Sequence, residues 1–307
     1  MSGQAGQTSA TLADAFGQTS QRWRAWSRRL PRGWPLLCVY LAVMGLFLFA
    51  GIFADWITPH DPTKQSLVNR LQDPVWQAEG TSEFFFGTDG LGRDILSRLI
   101  KGSQTSLLVI VTIIPGSLVL GTAIGLIAGW RRGPFDSFAM RLVEVQLAFP
   151  AFLFALLIAA MLGPSLRNVI VILILFLWAS YARLVRAEVL SLREREFVLA
   201  ARTIGASDIR LMTRHLLPNV VNSVVILATL NVSIVIIAEA SLSFLGAGAG
   251  PETISWGKMV AEGRDLLKIR FWLTGIPGIT IMIIALVGNL LGDWLRDYLD
   301  PQLRNIQ

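Results

Sequence analysis

Six stretches of this 307-residue chain are each long and apolar enough to cross a lipid bilayer as an α-helix. A hydrocarbon core about 30 Å thick needs about 20 mostly apolar residues in helical conformation. The stretches are 35–56, 106–130, 139–162, 168–189, 218–240 and 271–295. The alternative is that one or two of these stretches are core helices of a soluble protein. Against it, only 16% of the residues are charged, whereas soluble domains carry about 25%. The sequence therefore predicts an all-α, polytopic membrane protein with six transmembrane helices.

Arginine is concentrated on one side of these stretches. One group precedes the first stretch and a second lies between the fourth and the fifth: Arg22, Arg24, Arg28, Arg29 and Arg32, then Arg183, Arg186, Arg193, Arg195, Arg202, Arg210 and Arg214. Because positive residues beside spans favour the cytoplasmic side, both termini are predicted to be cytoplasmic. This placement accounts for the net charge of +6 at a lipid surface, and we expect no nucleic-acid binding because no aromatic platform accompanies the charge.

The predicted orientation divides the chain into five regions. Residues 1–33 are a cytoplasmic tail, largely disordered because it is rich in polar residues and glycine, and 34–57 are the first transmembrane helix. Residues 58–104 are extracytoplasmic and more acidic than basic, 105–296 form a five-helix transmembrane core, and 297–307 are a cytoplasmic tail. The first apolar stretch is longer than that of a cleaved signal peptide, so we interpret it as a retained helix.

The counts of reactive residues exclude most enzyme classes. Cys38 is the single cysteine, so an intramolecular disulfide or a cysteine-based metal cluster is excluded. His60 and His215 are far apart in sequence, which argues against a histidine metal site or triad. The chain carries no Gly-x4-Gly-Lys-Ser/Thr phosphate loop, so it is not expected to bind ATP. We expect no catalytic centre, metal site or cofactor in this chain.

Small and polar residues within the predicted helices indicate close packing and a candidate passage. Gly121, Gly125 and Gly129 recur every four residues, a spacing that lets helix backbones approach closely within a bundle or a dimer. Ionisable and polar groups at membrane depth are candidates for a translocation path: Glu144, Asn231, Ser233 and Glu239. The alternative interpretation is hydrated helix ends for the glutamates and hydrogen bonds between helices for the other two. Pro150 is expected to kink the third span.

The cytoplasmic segment 194–217 predicts two short helices joined by a glycine turn. Phe197, Ala200, Ala201 and Ile204 follow helical spacing, and Gly205 stands where a C-cap glycine belongs. Ser207 can cap a second helix that begins with Asp208. Ile209, Met212 and Leu216 give this helix an apolar face, and Pro218 is suited to the start of the fifth span. Two interpretations remain open, a basic hairpin lying on the anionic inner leaflet and a projection that docks into a soluble partner.

This segment resembles the cytoplasmic signature of ABC-importer permeases, written Glu-Ala-Ala, three residues, Gly, nine residues, Ile, one residue, Leu-Pro. Ala200, Ala201, Gly205, Leu217 and Pro218 are in register. Leu199 replaces the glutamate and His215 the isoleucine, and Glu196 is the nearby acidic substitute. The resemblance implies an ATPase-coupling interface made of Glu196, Ala200, Ala201, Arg202, Gly205, Ala206, Ser207, Asp208 and Pro218.

Three more stretches resemble one branch of that family, the C-type permease of dipeptide, oligopeptide and nickel importers. They are 87–98, then 239–246 with 255–257, then 289–301. The resemblance implies the ABC type I importer permease fold in the bacterial inner membrane. It also implies these partners: a sister (B-type) permease, two cytoplasmic ATPase subunits that bind ATP and Mg, an extracytoplasmic solute-binding protein, and membrane lipid.

The cargo implied by the resemblance is small peptides, with nickel or another small solute as the alternative. A stand-alone secondary transporter or channel is the rival outside this family. Within 87–98, two acids and two arginines indicate either a binding site or a glycine turn leading into a capped, ion-paired helix: Asp89, Asp94, Arg93 and Arg98.

Overall fold

The computed structural model describes residues 34–299, and it is built from α-helices joined by turns. The predicted tails, 1–33 and most of 297–307, lie outside the described residues. In chain order the helices are α1 (Trp34–Ile57), α2 (Ile95–Arg131), α3 (Gly133–Ala148), α4 (Ala151–Leu162), α5 (Leu166–Leu192), α6 (Glu196–Thr203), α7 (Asp208–Phe244), α8 (Trp256–Gly263) and α9 (Trp272–Leu299). Residues 34–42 are the described part of one compact unit, and a second unit begins at Val43.

Among the described residues, five helices are long and apolar enough to span a membrane, namely α1, α2, α5, α7 and α9. The predicted third span is instead a pair of helices, α3 and α4, whose axes meet at 93°. The break follows from Pro150, which has no amide hydrogen and forces Phe149 into an extended conformation with φ −82° and ψ 143°. Counting the bent pair as one span restores the predicted six.

Two of the long helices begin earlier than the apolar runs predict. α2 starts at Ile95, because the Asp94 carboxylate accepts a hydrogen bond from the Ser97 amide at 3.0 Å and caps the helix. The boundary predicted at 104–105 therefore falls inside this helix. α7 starts at Asp208, so the second helix predicted for segment 194–217 and the predicted fifth span are one continuous helix.

The main apolar core lies where α2, α5 and α7 meet. Ile113, Tyr181, Val185 and Val220 are fully buried there. The three spaced glycines of α2 lie against α5, and a Cβ on Gly121 or Gly125 would come within 2.4 and 2.5 Å of the carbonyl oxygens of α5. α2 and α5 can lie this close only where α2 has no side chain, so the glycines pack α2 against α5 within this chain.

Many large apolar side chains on the outer faces of the long helices are exposed in the single chain. Examples are Leu46, Val111, Leu157 and Leu286. Because lipid tails are as apolar as these side chains, this exposure is suited to a bilayer and not to water.

Candidate functional site

The segment between α5 and α7 is a helical hairpin whose turn is closed by backbone hydrogen bonds. α6 ends at Thr203, and Gly205 follows with φ +85°, a left-handed conformation that glycine adopts without steric cost. The Gly205 amide donates to the Arg202 carbonyl at 3.0 Å and the Ala206 amide to the Ala201 carbonyl at 3.1 Å. These two bonds form a Schellman cap, so the predicted glycine C-cap is confirmed.

The predicted apolar stripe of α6 is mostly exposed. Of its four residues only Ala201 is buried, whereas Phe197, Ala200 and Ile204 face outward. The buried Val198 lies outside the predicted stripe. Ile204 is 86% exposed at the tip of the hairpin. An exposed patch of large apolar side chains marks a contact surface for a partner or a membrane.

The start of α7 departs from α-helical geometry. Residues Leu211–Leu216 form a π-helix, and the Leu217 amide donates to the Met212 carbonyl five residues earlier. Leu211 and Leu216, spaced five apart, are both fully buried, whereas Ile209 is 71% exposed. The predicted face of positions 209, 212 and 216 is therefore wrong at 209, because it assumes the α-helical period.

The remaining residues of the predicted coupling interface lie along the hairpin. Glu196 is in the first turn of α6 and Arg202 in its last turn, and both are exposed. Ser207 stands at the N-cap position of α7, but its side chain makes no capping hydrogen bond, and exposed Asp208 is the first residue of that helix. Pro218 lies inside α7, in the first turn of its α-helical part, Leu217–Phe244, which follows the π-helical turn. This position at the start of a regular helix is the one predicted for the proline.

Buried contacts attach the hairpin to the two long helices that flank it. Val198, Leu211, Leu216 and Val220 belong to the same apolar cluster as Val189, near the end of α5. All five side chains are fully buried. The hairpin therefore packs as a continuation of α5 and α7 and not as a loose loop.

Two of the four predicted path residues make hydrogen bonds between helices. The Asn231 amide Nδ2 on α7 donates to the Tyr181 hydroxyl on α5 at 2.9 Å. The Ser233 hydroxyl donates to the Ala285 carbonyl of α9 at 2.5 Å. In this chain both side chains are enclosed between helices.

The two glutamates have opposite environments. Glu239 is 1% exposed, and its Oε1 accepts a hydrogen bond from the Ser243 hydroxyl at 2.7 Å. Glu144 on α3 is exposed, and its Oε2 lies 3.6 Å from Nη1 of the exposed Arg141. Asn231, Ser233 and Glu239 thus all lie buried on α7, whereas Glu144 lies exposed on α3.

At the start of α2, four charged side chains form a paired network. Asp89 Oδ2 lies 2.7 Å from Arg93 Nε and 2.5 Å from Arg98 Nη1. Glu262 on α8 completes the network, with its Oε2 2.8 Å from Arg93 Nη2 and 2.7 Å from Arg98 Nη2. Because the charges pair with one another, this geometry agrees with the capped, ion-paired helix predicted as one of two interpretations. No sequence pattern predicted Glu262 as a partner, because it lies far along the chain from the other three residues.

We expect Glu262→Gln to lower the free energy of unfolding by about 1–2 kcal/mol, because two arginines lose a charge-assisted partner and Arg98 is almost fully buried. The measurement is the melting temperature of the purified protein in detergent. Asp265→Asn is the matched control, since that carboxylate is 85% exposed and its loss is expected to change little. Equal melting temperatures for both variants would contradict a stabilising role for the network.

A long loop joins α7 to α8, and a lysine holds part of it. Nζ of Lys258 lies 3.5 Å from the carbonyl oxygens of both Gly250 and Thr253 and also contacts that of Pro251. Burial lowers the pKa of Lys258, and the nearby Glu262 carboxylate opposes that shift. Through these contacts, the Lys258 side chain donates hydrogen bonds to the loop carbonyls.

Comparison with known proteins gives consistent matches. A family model described as "Binding-protein-dependent transport system inner membrane component" matches residues 121–305. The di/tripeptide transport system permease protein DppC of Pseudomonas aeruginosa is 41% identical, over 86% of this chain and 88% of that protein. The glutathione transport system permease protein GsiD of Escherichia coli O1:K1 is 39% identical, over 94% and 93%.

The fold also has a counterpart among solved structures. A chain of the MetNI methionine ABC transporter in an inward-facing conformation aligns with a TM-score of 0.51 and 18% identity, covering 66% of this chain and 96% of that one. At that identity the likeness shows the fold alone, an ABC-importer permease fold. The family match extends over more than half of the sequence and includes the hairpin, α7 and α9. This chain therefore belongs to the family of binding-protein-dependent transport system inner membrane components.

Proposed function

We propose that this chain forms one half of the membrane passage of an ATP-driven importer for small peptides. Membership of the family supports a permease subunit without catalytic groups of its own. Two relatives that align with most of the chain are named for di/tripeptide and glutathione transport, and glutathione is itself a tripeptide. Small peptides are thus the cargo class that both names share.

The observation that carries the coupling proposal is the exposed apolar face of the hairpin. Phe197, Ala200, Ile204 and Ile209 face outward, while the opposite side of the hairpin is anchored in the core. We propose that this face docks on a cytoplasmic ATPase subunit, with the flanking charges Glu196, Arg202 and Asp208 at the rim. A rigid attachment is suited to the transmission of motion between subunits.

The remaining partners follow from the same proposal. A sister permease supplies the other half of the passage, an extracytoplasmic solute-binding protein delivers the cargo, and both termini are in the cytoplasm of a bacterial cell. Among the predicted path residues, Glu144 is the exposed carboxylate that cargo or the sister subunit reaches. Asn231, Ser233 and Glu239 are proposed to keep the wall of the passage in shape, because their polar groups are held by neighbouring side chains or backbone.

The test uses site-directed photo-cross-linking, for which this chain is well suited because Cys38 is its single cysteine. Ile204→Cys in a Cys38→Ser background is labelled with a benzophenone maleimide in membranes that contain the whole importer. We expect an adduct with a subunit that carries an ATP-binding phosphate loop, identified by mass spectrometry. Ile204 is chosen because it is the most exposed apolar residue of the hairpin.

The matched control is Val68→Cys, a residue that is 93% exposed on the predicted extracytoplasmic segment. It is expected to react with a membrane-impermeant maleimide in intact cells and to give no ATPase adduct, whereas Ile204→Cys reacts only after the membrane is opened. An Ile204→Cys adduct with lipid alone would show that the hairpin lies on the inner leaflet, and the coupling proposal would be rejected.

A further inference from the structure

The turn between α2 and α3 is held in an unusual backbone conformation beside the hairpin. α2 ends at Arg131 and α3 begins at Gly133, so a single residue separates the two helices. That residue, Arg132, has φ +55°, and Gly133 has φ +73°. A residue with a side chain is uncommon at positive φ, so contacts elsewhere must hold the turn in place.

The first of these contacts joins α5 to α3. Arg186 on α5 donates from Nε to Asp136 Oδ1 at 2.5 Å and from Nη2 to Asp136 Oδ2 at 2.7 Å. Asp136 is in the first turn of α3 and is 8% exposed. A bidentate arginine–carboxylate pair fixes direction as well as distance, and the carboxylate also suits the positive end of the α3 helix dipole.

The second contact joins α5 to α2. Nη1 of Arg193 donates to the Trp130 carbonyl at 3.1 Å and lies 3.4 Å from the Gly129 carbonyl oxygen. Its guanidinium group also lies 5.8 Å from the centre of the Trp130 ring. The last carbonyls of a helix have no partner inside the helix, so Arg193 satisfies the end of α2 with a favourable charge.

Arg186 and Arg193 lie on the same face of α5, because residues seven positions apart are about two helical turns apart. Between them, Val189 meets Gly129 so closely that a Cβ on that glycine would lie 2.9 Å from Val189. The end of α2 and the start of α3 are therefore held between Arg186 and Arg193. We call these two residues the arginine bracket.

We propose that the arginine bracket carries displacement of the coupling hairpin into α2 and α3. Arg193 is the C-cap of α5 and the hairpin helix α6 begins at Glu196, so a shift of the hairpin moves Arg193 directly. Since Arg186 and Arg193 grip both sides of the α2–α3 turn, that movement reaches the ends of both helices. The inference rests on the proposed function and names positioning residues, which touch neither cargo nor nucleotide.

The test compares charge reversal with charge exchange in the complete importer, reconstituted in proteoliposomes with the sister permease, the ATPases and the binding protein. The variants are Asp136→Arg, Arg186→Asp and the double exchange, and the readout is labelled di- and tripeptide uptake per ATP hydrolysed. We expect each single reversal to lower this ratio by about tenfold and the exchange to restore most of it. Arg183→Asp, at an exposed arginine of the same helix, is expected to leave the ratio unchanged.

Two results would overturn the proposal. One is an unchanged ratio in assembled single variants, including the neutral Asp136→Asn, which is the variant to use if a reversal prevents assembly. The other is an exchange variant that regains the wild-type melting temperature but not the ratio, because the pair would then be structural only. If the unaltered importer shows no ATP-driven peptide uptake, the proposed function is rejected. The role proposed for the arginine bracket, which rests on that function, is then rejected too.

Discussion

Replacing Gly205 with valine is expected to lower peptide uptake strongly while the chain still inserts into the membrane. Gly205 has φ +85°, where a residue with a side chain costs about 1–2 kcal/mol and a β-branched residue is a strong outlier. A cost of that size lowers the equilibrium ratio of the native turn to other turn conformations by about 5- to 30-fold. The turn sets the direction of the exposed face of Phe197, Ala200 and Ile204, so the contact surface proposed for the ATPase is lost.

The control for this prediction is Gly205→Asn, because asparagine tolerates the left-handed conformation better than other residues with a side chain. No atom of the described residues lies within 4 Å of a Cβ built at this position, so any difference between the two variants reports backbone conformation and not crowding. Uptake and ATP hydrolysis are measured in the reconstituted importer, and membrane insertion by extraction and immunoblot. Wild-type uptake by Gly205→Val would contradict a role for the turn geometry.

Replacing Gly125 with leucine is expected to destabilise the packed bundle. A Cβ at this position would lie 2.5 Å from the Ala182 carbonyl oxygen and 2.9 Å from the Val185 Cβ. These are backbone and near-backbone atoms that cannot rotate away, so α2 and α5 must separate. We expect a loss of about 3 kcal/mol in the free energy of unfolding, at the upper end of the range for overpacking, which lowers the melting temperature and the folded yield in detergent.

Gly45→Leu provides the matched control, since it places the same side chain in another predicted span where no described atom lies within 4 Å of the Cβ. Its size-exclusion profile and melting temperature are expected to match those of the unaltered chain. The prediction for Gly125 is contradicted if both leucine variants elute as the same monodisperse species. It is also contradicted if their melting temperatures are equal.

Features that depend on neighbouring residues in sequence were predictable for this chain. The apolar runs predicted every spanning segment, and Pro150 identified the place where the third span breaks. The glycine turn at Gly205 followed from the position of one glycine after a short apolar period, and the structure has it with the expected positive φ. In each case the cause is local, because a missing amide hydrogen or a missing Cβ changes the backbone at that residue.

Other features required contacts that no local pattern announces. In a membrane protein both faces of a helix are apolar, since lipid and protein interior are equally poor in water. Hydropathy therefore could not tell whether Asn231 faces a passage or Tyr181. The π-helical turn at Leu211–Leu216 was also missed, because sequence periods assume regular α-helix, whereas the five-residue spacing appears only when both leucines pack.

The candidate sites divide in the same way. Local motifs located the hairpin and the charged turn before α2. The pairing of Arg98 with Glu262 and of Arg186 with Asp136 depends on chain segments that are far apart in sequence and meet only when the helices pack. Such partners cannot be inferred from spacing, because the energy of a charge pair depends on distance and burial, which the folded chain alone supplies.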